Sequence, residues 1–277
     1  MFWLSVSYNS GHTGLFREEC QFSTFRGVAL PSTHLYIFPI SHYCEKACWT
    51  LDYLGIDYEL HYVAPGGHGN LAEELGAEGT SLPILVGADG VVQGSDKIIN
   101  WAESCSRNGR SLVPADATSA VDIEDRLNDV LGVHVRRMYY SEALVEHPHT
   151  VLPIFVDYLE TEDAKFVQDT WEFIAAAMVE RMDLGVEQRQ ESREIVAEQL
   201  DWLDSLLDGG QSYLLGDDFS LLDLSAAALL APLATPPEHP TYGGLQVPPL
   251  MADDIAVWAQ RPVSRYVASM YRQHRNM

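Results

Sequence analysis

The chain has 277 residues, 47% hydrophobic and 21% charged, which is enough for one large globular domain or two ordinary ones. Its 40 Asp and Glu residues against 17 Lys and Arg residues give a formal net charge of -23, which repels phosphate backbones and anionic lipid, so we predict no nucleic-acid partner. We also predict no membrane partner, because no stretch approaches the ~18 uninterrupted apolar residues of a membrane-spanning helix.

The first part of the chain, residues 1–33, has no basic segment followed by a long apolar run, so we expect an N-terminal extension rather than a signal peptide. Four cysteines in a chain of this length do not indicate a disulfide framework. They are Cys20, Cys44, Cys48 and Cys105. We therefore expect reduced thiols and a cytoplasmic protein.

Residues 34–107 have the pattern of a small α/β domain. The β-branched and aromatic run at 35–38 predicts a strand, and apolar residues at helical spacing from Cys44 to Leu54 predict a helix that Gly55 ends. Alternation at 58–63 predicts a second strand. After the Gly-rich "PGGHGN" we expect a short helix, a hairpin formed by "SLPILV" and "VVQ", and a helix at "SDKIINWAESC". The order βαβ-α-ββα is typical of a thioredoxin-like sheet.

After a polar connection at 107–117 no further strand pattern occurs. Helical patterns occupy about 118–146, 155–183, 186–207 and 220–233, with shorter ones from 251. We therefore predict an all-α C-terminal domain at 118–277. A cleft between the two domains is the expected ligand site.

Four segments in register across both predicted domains resemble the glutathione S-transferase superfamily, in particular its bacterial serine- or cysteine-motif members. They are "SHYCEKACWTLDYLGIDYELHYV", "TSLPILV", "GSDKIINW" and "GDDFSLLDLSAAALL". The resemblance covers residue 34 to the C-terminus. It implies a two-domain fold, glutathione as cosubstrate, conjugation of its thiolate to a hydrophobic electrophile, a homodimer and a role in detoxification.

Ser41 and Cys44 are the candidates for the catalytic residue that acts on the thiol of glutathione. A helix N-terminus stabilises an anion by ~0.3–1 kcal/mol and a hydroxyl bond to a charged sulfur by ~1.5–3 kcal/mol. Together they supply the ~2.7 kcal/mol needed to lower a thiol pKa by ~2 units. Ser41 stands just before the predicted helix, where serine-type members carry their catalytic serine.

Cys44 occupies the fourth position of the C-x-x-C turn of glutaredoxin-like relatives. This leaves open glutathione-dependent thiol reduction or reductive dehalogenation through Cys44. However, Cys44 also shares the apolar stripe of the helix with Cys48, which is typical of a packed, inert thiol.

The resemblance implies further glutathione contacts. Leu82 precedes Pro83, the counterpart of the family's cis-proline, and its main chain would pair with the cysteinyl part of glutathione. Gly94 and Ser95 stand where the family has a Glu-Ser or Gln-Ser pair for the γ-glutamyl end. The Glu or Gln of this pair is missing here. Either Asp96 or a residue of a second subunit replaces it, or the protein keeps the fold and does not catalyse a reaction.

Other residues complete the predicted site. We interpret His42 and Lys46 as exposed residues at the helix start, with His42 able to touch the ligand. On the first long helix of the second domain we expect one of two tyrosines to face the cleft and the other to pack in the core. The predicted electrophile pocket consists of Pro39, Ile40, Tyr139 and Tyr140. The "HPH" segment at 147–149 lacks further ligands at zinc spacing, so we predict a loop there and no metal.

The segment "FSLLDL" resembles the family's capping box, in which Ser220 and Asp223 each satisfy the other's backbone N–H at the start of a helix. Phe219 and Leu224 would form a hydrophobic staple. We assign this segment a role in folding and none in catalysis.

Overall fold

The computed structural model describes residues 33–242 and 245–275. The predicted N-terminal extension, 1–33, lies outside the described residues apart from its last residue. The first domain contains a four-stranded sheet in the order β2-β1-β3-β4. Its strands are β1 His34–Ile37, β2 Glu59–Tyr62, β3 Ile84–Gly87 and β4 Gly90–Gln93. Strand β1 pairs in parallel with β2 and antiparallel with β3, and β3 pairs antiparallel with β4.

Three helices complete this α/β domain. They are α1 His42–Tyr53, α2 His68–Leu75 and α3 Ser95–Cys105. The predicted order βαβ-α-ββα is confirmed, and so is the change to helices alone in the rest of the described chain.

The second domain is helical. Its elements are α4 Ala117–Arg126, a π-helical segment Leu127–Gly132, α5 Val133–Ala143, α6 Pro148–Val156, α7 Thr161–Arg181, α8 Val186–Leu206, α9 Leu221–Ala234, α10 Pro249–Trp258 and α11 Pro262–His274. None of the helices in the described part of the chain is both long and apolar enough to cross a membrane.

Two predicted helical boundaries are wrong. The loop expected at 147–149 is the start of α6, because Pro148 occupies the first helical turn, where its missing N–H costs nothing. The single helix expected at 155–183 is divided between α6 and α7. The helix expected at 118–146 consists of α4, the π-helical segment and α5, which follow one another without a gap.

Helix α9 lies at the centre of the molecule and is buried from Leu222 to Leu233. It packs against α1 of the first domain and against α5 and α11 of the second. The predicted capping box at its start is confirmed, with the Ser220 N–H donating to Asp223 Oδ2 over 2.7 Å. Asp223 Oδ1 also accepts from the Leu214 N–H over 2.7 Å and from the Tyr266 hydroxyl.

Lys46 was expected to be exposed, and this expectation is wrong. Its side chain is completely buried between the domains, where the ammonium bonds to Glu124, to Asp96 at 3.0 Å and to Asn128 at 2.8 Å. Although burial alone would lower it, the nearby carboxylates of Glu124 and Asp96 raise the pKa of Lys46. The ammonium therefore stays charged and ties α1 to α3, α4 and the π-helical segment.

Candidate functional site

The turn between β1 and α1 presents Ser41 at the N-terminus of a helix. The Ser41 N–H donates to Phe38 O over 3.1 Å, and its side-chain oxygen accepts from the Cys44 N–H over 3.3 Å. The residue is only partly buried. Since a hydroxyl carries one proton besides its lone pairs, the Ser41 O–H can still donate to a ligand.

A loop of the helical domain fixes the backbone just before Ser41. The Thr241 hydroxyl donates to Pro39 O over 2.6 Å, and the Tyr242 hydroxyl donates to Ile40 O over 3.2 Å. Both bonds are buried. The sequence offered no signal for this support, because the loop has no periodic pattern and lies some 200 residues further along the chain.

A cavity of about 580 Å³ opens beside Ser41 between the two domains. This volume lies within the ~300–1,000 Å³ range of small-molecule sites. The predicted site residues that line it are Ile40, Ser41, His42, Leu82, Tyr139 and Tyr140. The predicted site residues outside its lining are Pro39, Cys44, Pro83, Gly94, Ser95 and Asp96.

His42 was predicted to be exposed and is instead 3% exposed, because the start of α1 is covered by the helical domain. Its ring meets the Tyr43 ring edge-on at 4.6 Å between centroids. Burial, and secondly the charge of Arg136, lower the pKa of His42 from 6.5 to about 3, so the imidazole is neutral at pH 7. Its Nε2 has no hydrogen-bond partner among the described residues and is available to a ligand.

Both tyrosines of α5 line the cavity, whereas we expected one of them to pack away from it. Tyr139 and Tyr140 are 4% and 8% exposed, and their rings meet edge-on at 5.4 Å. Within the described chain the Tyr139 hydroxyl has no hydrogen-bond partner. Arg136, one turn earlier, lies on the same helical face and also lines the cavity.

Cys44 does not line the cavity and has no exposed surface. Burial raises the pKa of its thiol to about 11, although the contact with Ser41 lowers it in part. Cys48 is also buried, and burial raises the pKa of its thiol well above the usual value. Neither thiol has the exposure and acidity of a nucleophile.

The segment from Leu82 to Asp96 contains most of the residues predicted to contact glutathione. The Leu82–Pro83 peptide bond is cis, and Pro83 O accepts from the Gly94 N–H over 3.0 Å. Gly94 has φ +96°, a conformation that side chains disfavour, so a Glu or Gln there would be strained. Ser95 is buried at the first position of α3, and Asp96 is held by Lys46 while 61% of its side chain stays exposed.

Helix α7 provides a wall of the cavity that the sequence did not predict. Phe173, Ile174, Ala177, Met178 and Arg181 all line the cavity, at the spacing of one helical face. The stripe is visible in the sequence but looks like ordinary core packing. Phe173 is 78% exposed, so this face borders an open space. His68, at the start of α2, also lines the cavity.

A second cluster has the residue types of a metal site. His34 Nδ1 lies 2.9 Å from His61 Nε2, and each of these atoms lies 3.5 Å from a carboxylate oxygen of Glu59. All three side chains project from neighbouring positions of β1 and β2 and could ligate an ion. They do not line the cavity and belong to a separate part of the surface.

Sequence comparison gives two matches to one family. Residues 35–108 match the family described as glutathione S-transferase, N-terminal domain, and residues 186–262 match glutathione S-transferase, C-terminal domain. Together they cover more than half of the chain. A comparison with curated protein sequences finds no match.

Solved structures share the fold at low identity. A glutathione transferase, GSTFuA3, from Phanerochaete chrysosporium is 15% identical with a TM-score of 0.59, covering 88% of this chain and 97% of its own. The β-etherase LigF from Sphingobium sp. strain SYK-6 is 18% identical with a TM-score of 0.55, covering 86% and 99%. A glutathione S-transferase of Ceriporiopsis subvermispora, in complex with glutathione, is 15% identical with a TM-score of 0.52, covering 88% and 99%.

Proposed function

Because this chain belongs to the glutathione S-transferase family, we propose that it transfers glutathione to a hydrophobic electrophile, with Ser41 as the catalytic residue. The observation that carries this proposal is the position of Ser41 at the helix N-terminus on the wall of the interdomain cavity. Glutathione bound to a protein of the same fold supports the choice of cosubstrate.

In the proposed reaction, glutathione loses its thiol proton to solvent and the thiolate attacks the electrophile, forming a carbon–sulfur bond as the leaving group departs. Ser41 would donate its O–H to the thiolate sulfur. The backbone of Leu82, on the same wall, would hold the cysteinyl part. The N-terminus of α1 adds its partial positive charge, and the two effects together are of the ~2.7 kcal/mol size needed to lower the thiol pKa by ~2 units.

The test is the pKa of enzyme-bound glutathione, followed by thiolate absorbance in the ultraviolet across a pH titration. We expect a pKa well below that of free glutathione, and a rise of ~1–2 units in Ser41→Ala, since a hydroxyl bond to an anion is worth ~1.5–3 kcal/mol. Cys44→Ala is the matched control and should leave the value unchanged. A Ser41→Ala variant with the wild-type pKa and rate would overturn the serine mechanism.

Thiol reduction or reductive dehalogenation through Cys44 is the less favoured alternative. The burial of Cys44 and the raised pKa of its thiol oppose it. It requires a mixed disulfide between Cys44 and glutathione, which mass spectrometry after treatment with oxidised glutathione would detect.

A protein that binds without turnover is the second candidate. It is favoured by the positive φ of Gly94, which disfavours the Glu or Gln of the family pattern, and by the bond of Asp96 to Lys46, which occupies the carboxylate that would replace it. Calorimetric titration with glutathione, followed by an electrophile screen, separates tight binding without product from catalysis. The homodimer and the role in detoxification stay predictions from the family, and the cytoplasmic location stays a prediction from the cysteine content.

A further inference from the structure

The charged side chains that line the cavity are positive, although the protein as a whole is strongly negative. The chain has 40 acidic residues against 17 Lys and Arg, yet no described residue that lines the cavity is an Asp or a Glu. Its charged lining residues are Arg136 and Arg181. Within the described chain neither arginine forms an ion pair, and the Arg136 guanidinium lies 5.9 Å from the centroid of the Tyr43 ring. Two arginines without an ion pair on the wall of a cavity in so acidic a protein indicate a site for an anion.

Arg136 and Arg181 both lie near the place where α5 is hydrogen-bonded to the segment that follows α7. Arg137 Nε donates to Asp183 O over 3.0 Å. Arg136 is the residue before Arg137, and Arg181 lies two residues before Asp183. Both are exposed, so each can turn its guanidinium towards a ligand in the cavity.

Apolar and aromatic side chains continue from each arginine along the cavity wall. On α5 the next turn brings Tyr139 and Tyr140, and on α7 the preceding turns bring Ile174 and Met178. The Tyr139 hydroxyl is buried and has no partner among the described residues, although a buried O–H without a bond costs ~1–3 kcal/mol. A ligand that accepts this hydrogen bond would remove the cost.

We propose that the electrophilic cosubstrate is an aromatic acid whose ring lies against the apolar wall and whose anionic group is bound by Arg136 and Arg181, with the Tyr139 hydroxyl as a further donor. A guanidinium binds a carboxylate through two parallel N–H bonds, which gives orientation as well as affinity. This inference rests on the proposed glutathione transfer and names the substrate class for it.

Glutathione also carries carboxylates, which are an alternative anionic ligand for Arg136 and Arg181. The glutathione contacts implied by the family come from 41–42 and 82–96 of the α/β domain, whereas Arg136 and Arg181 both belong to the helical domain. This placement favours the cosubstrate as the ligand of the arginines.

The first arm of the test measures binding in the presence of saturating glutathione and at low salt. The probes are 1-anilinonaphthalene-8-sulfonate and N-phenyl-1-naphthylamine, which share the ring system and differ by the sulfonate. We expect the sulfonate to bind about tenfold more tightly, as two charge-assisted contacts allow. The double variant Arg136→Gln/Arg181→Gln should lose this preference and bind the neutral dye as wild type does. Arg272→Gln, an exposed arginine on α11 outside the cavity lining, is the matched control.

A second arm measures kcat/KM for 4-chloro-3,5-dinitrobenzoate and for its neutral amide. The wild type should prefer the acid, and the double variant should not. Conjugation of both with no preference for the acid overturns this inference and leaves the proposed function standing. A preference for the acidic dye that needs the arginines, with no conjugation of either electrophile, supports the anion site and overturns the proposed function.

The third arm is calorimetric titration of the double variant with glutathione. If the double variant binds glutathione more weakly than wild type and still prefers the acidic dye, the arginines bind the carboxylates of glutathione and the inference is overturned. Unchanged glutathione affinity with a lost dye preference supports it.

Discussion

At the scale of single residues, burial decides which groups near the helix start can react. Ser41 is reachable from the cavity, whereas Cys44, three residues later, is completely enclosed. The sequence could place both at the start of the helix, because turn and helix patterns are local. It could not rank their exposure, since the surface that covers Cys44 comes from packing between distant segments.

The Cys44 thiol should be inert at neutral pH. With a pKa raised to about 11, its thiolate fraction at pH 7 is about 100-fold below that of a thiol at the usual value of 9.0. Thiol counting with a disulfide reagent under native conditions should therefore give the same number of fast-reacting thiols in wild type and Cys44→Ala. A number lower by one in the variant would show that Cys44 is exposed and acidic. Reactivity should rise only as the pH approaches the raised pKa.

His42 should make stability depend on pH in acid. Its folded pKa of about 3 lies below the value of 6.5 in the unfolded chain, so its contribution is complete above pH 6.5 and is lost as the pH falls towards 3. Between these values the unfolded state binds one more proton, a slope of ~1.4 kcal/mol per pH unit. Between pH 6 and pH 4 the free energy of unfolding of His42→Gln, measured with denaturant, should fall less steeply than that of wild type, by about that slope. Parallel curves for the two proteins would mean that His42 is exposed in the native state.

At the scale of elements, the pattern of the chain predicts the α/β domain well and the helical domain less well. The strands and α1 have sharp limits, such as Pro39 before the helix and Gly55 after it, which has φ +68°. In the helical domain the apolar stripes run on from one helix to the next. Pro148 looks like a breaker in the sequence and instead begins α6.

The π-helical segment is an element that the sequence does not reveal, and Gly132 at its end lies in close contact with α1. A Cβ at Gly132 would lie 2.5 Å from the Tyr43 hydroxyl oxygen, which donates to Asn128 O over 2.7 Å. This contact between α1 and the segment therefore needs a residue without a side chain at 132.

Gly132→Ala should destabilise the protein by ~1–3 kcal/mol, because overpacking outweighs the ~1 kcal/mol by which alanine favours a helix. Denaturant unfolding measures the change. The control is Gly69→Ala in α2, where a Cβ would make an ordinary contact at 3.5 Å with Thr80 and stability should hold or rise. A stabilised Gly132→Ala would mean that Tyr43 moves away without cost.

At the scale of the whole molecule, the contact between the domains creates the site. His42 and Lys46 were predicted to be exposed because a pattern read from one helix cannot include the domain that covers it. The same contact creates the cavity and brings Tyr242 to the backbone before Ser41. Motifs in register predicted the fold and Ser41, whereas the arginines and α7 lie outside those motifs.

The buried Lys46 network, which consists of Lys46, Asp96, Glu124 and Asn128, should contribute strongly to the free energy of unfolding. Lys46→Met leaves the carboxylate of Glu124, whose side chain is 16% exposed, without its cation, and such a loss costs ~3–5 kcal/mol. Lys97→Met is the matched control, because its pair with Glu78 is exposed at 64% and 86% and should cost less than ~1 kcal/mol. Equal losses in the two variants by denaturant unfolding would show that the Lys46 network is not buried in solution.

Helix α1 belongs to the α/β domain by sequence but is bonded to the helical domain along its length. Besides Lys46, the Trp49 indole N–H donates to His274 O over 3.0 Å, and Arg275 binds Glu45 at 2.6 Å and Asp52 at 2.7 Å. The two family segments therefore cannot act as independent folding units. The protein should unfold in one cooperative transition, and an isolated fragment ending near residue 108 should not fold, because its first helix would lose these partners and expose an apolar face to water.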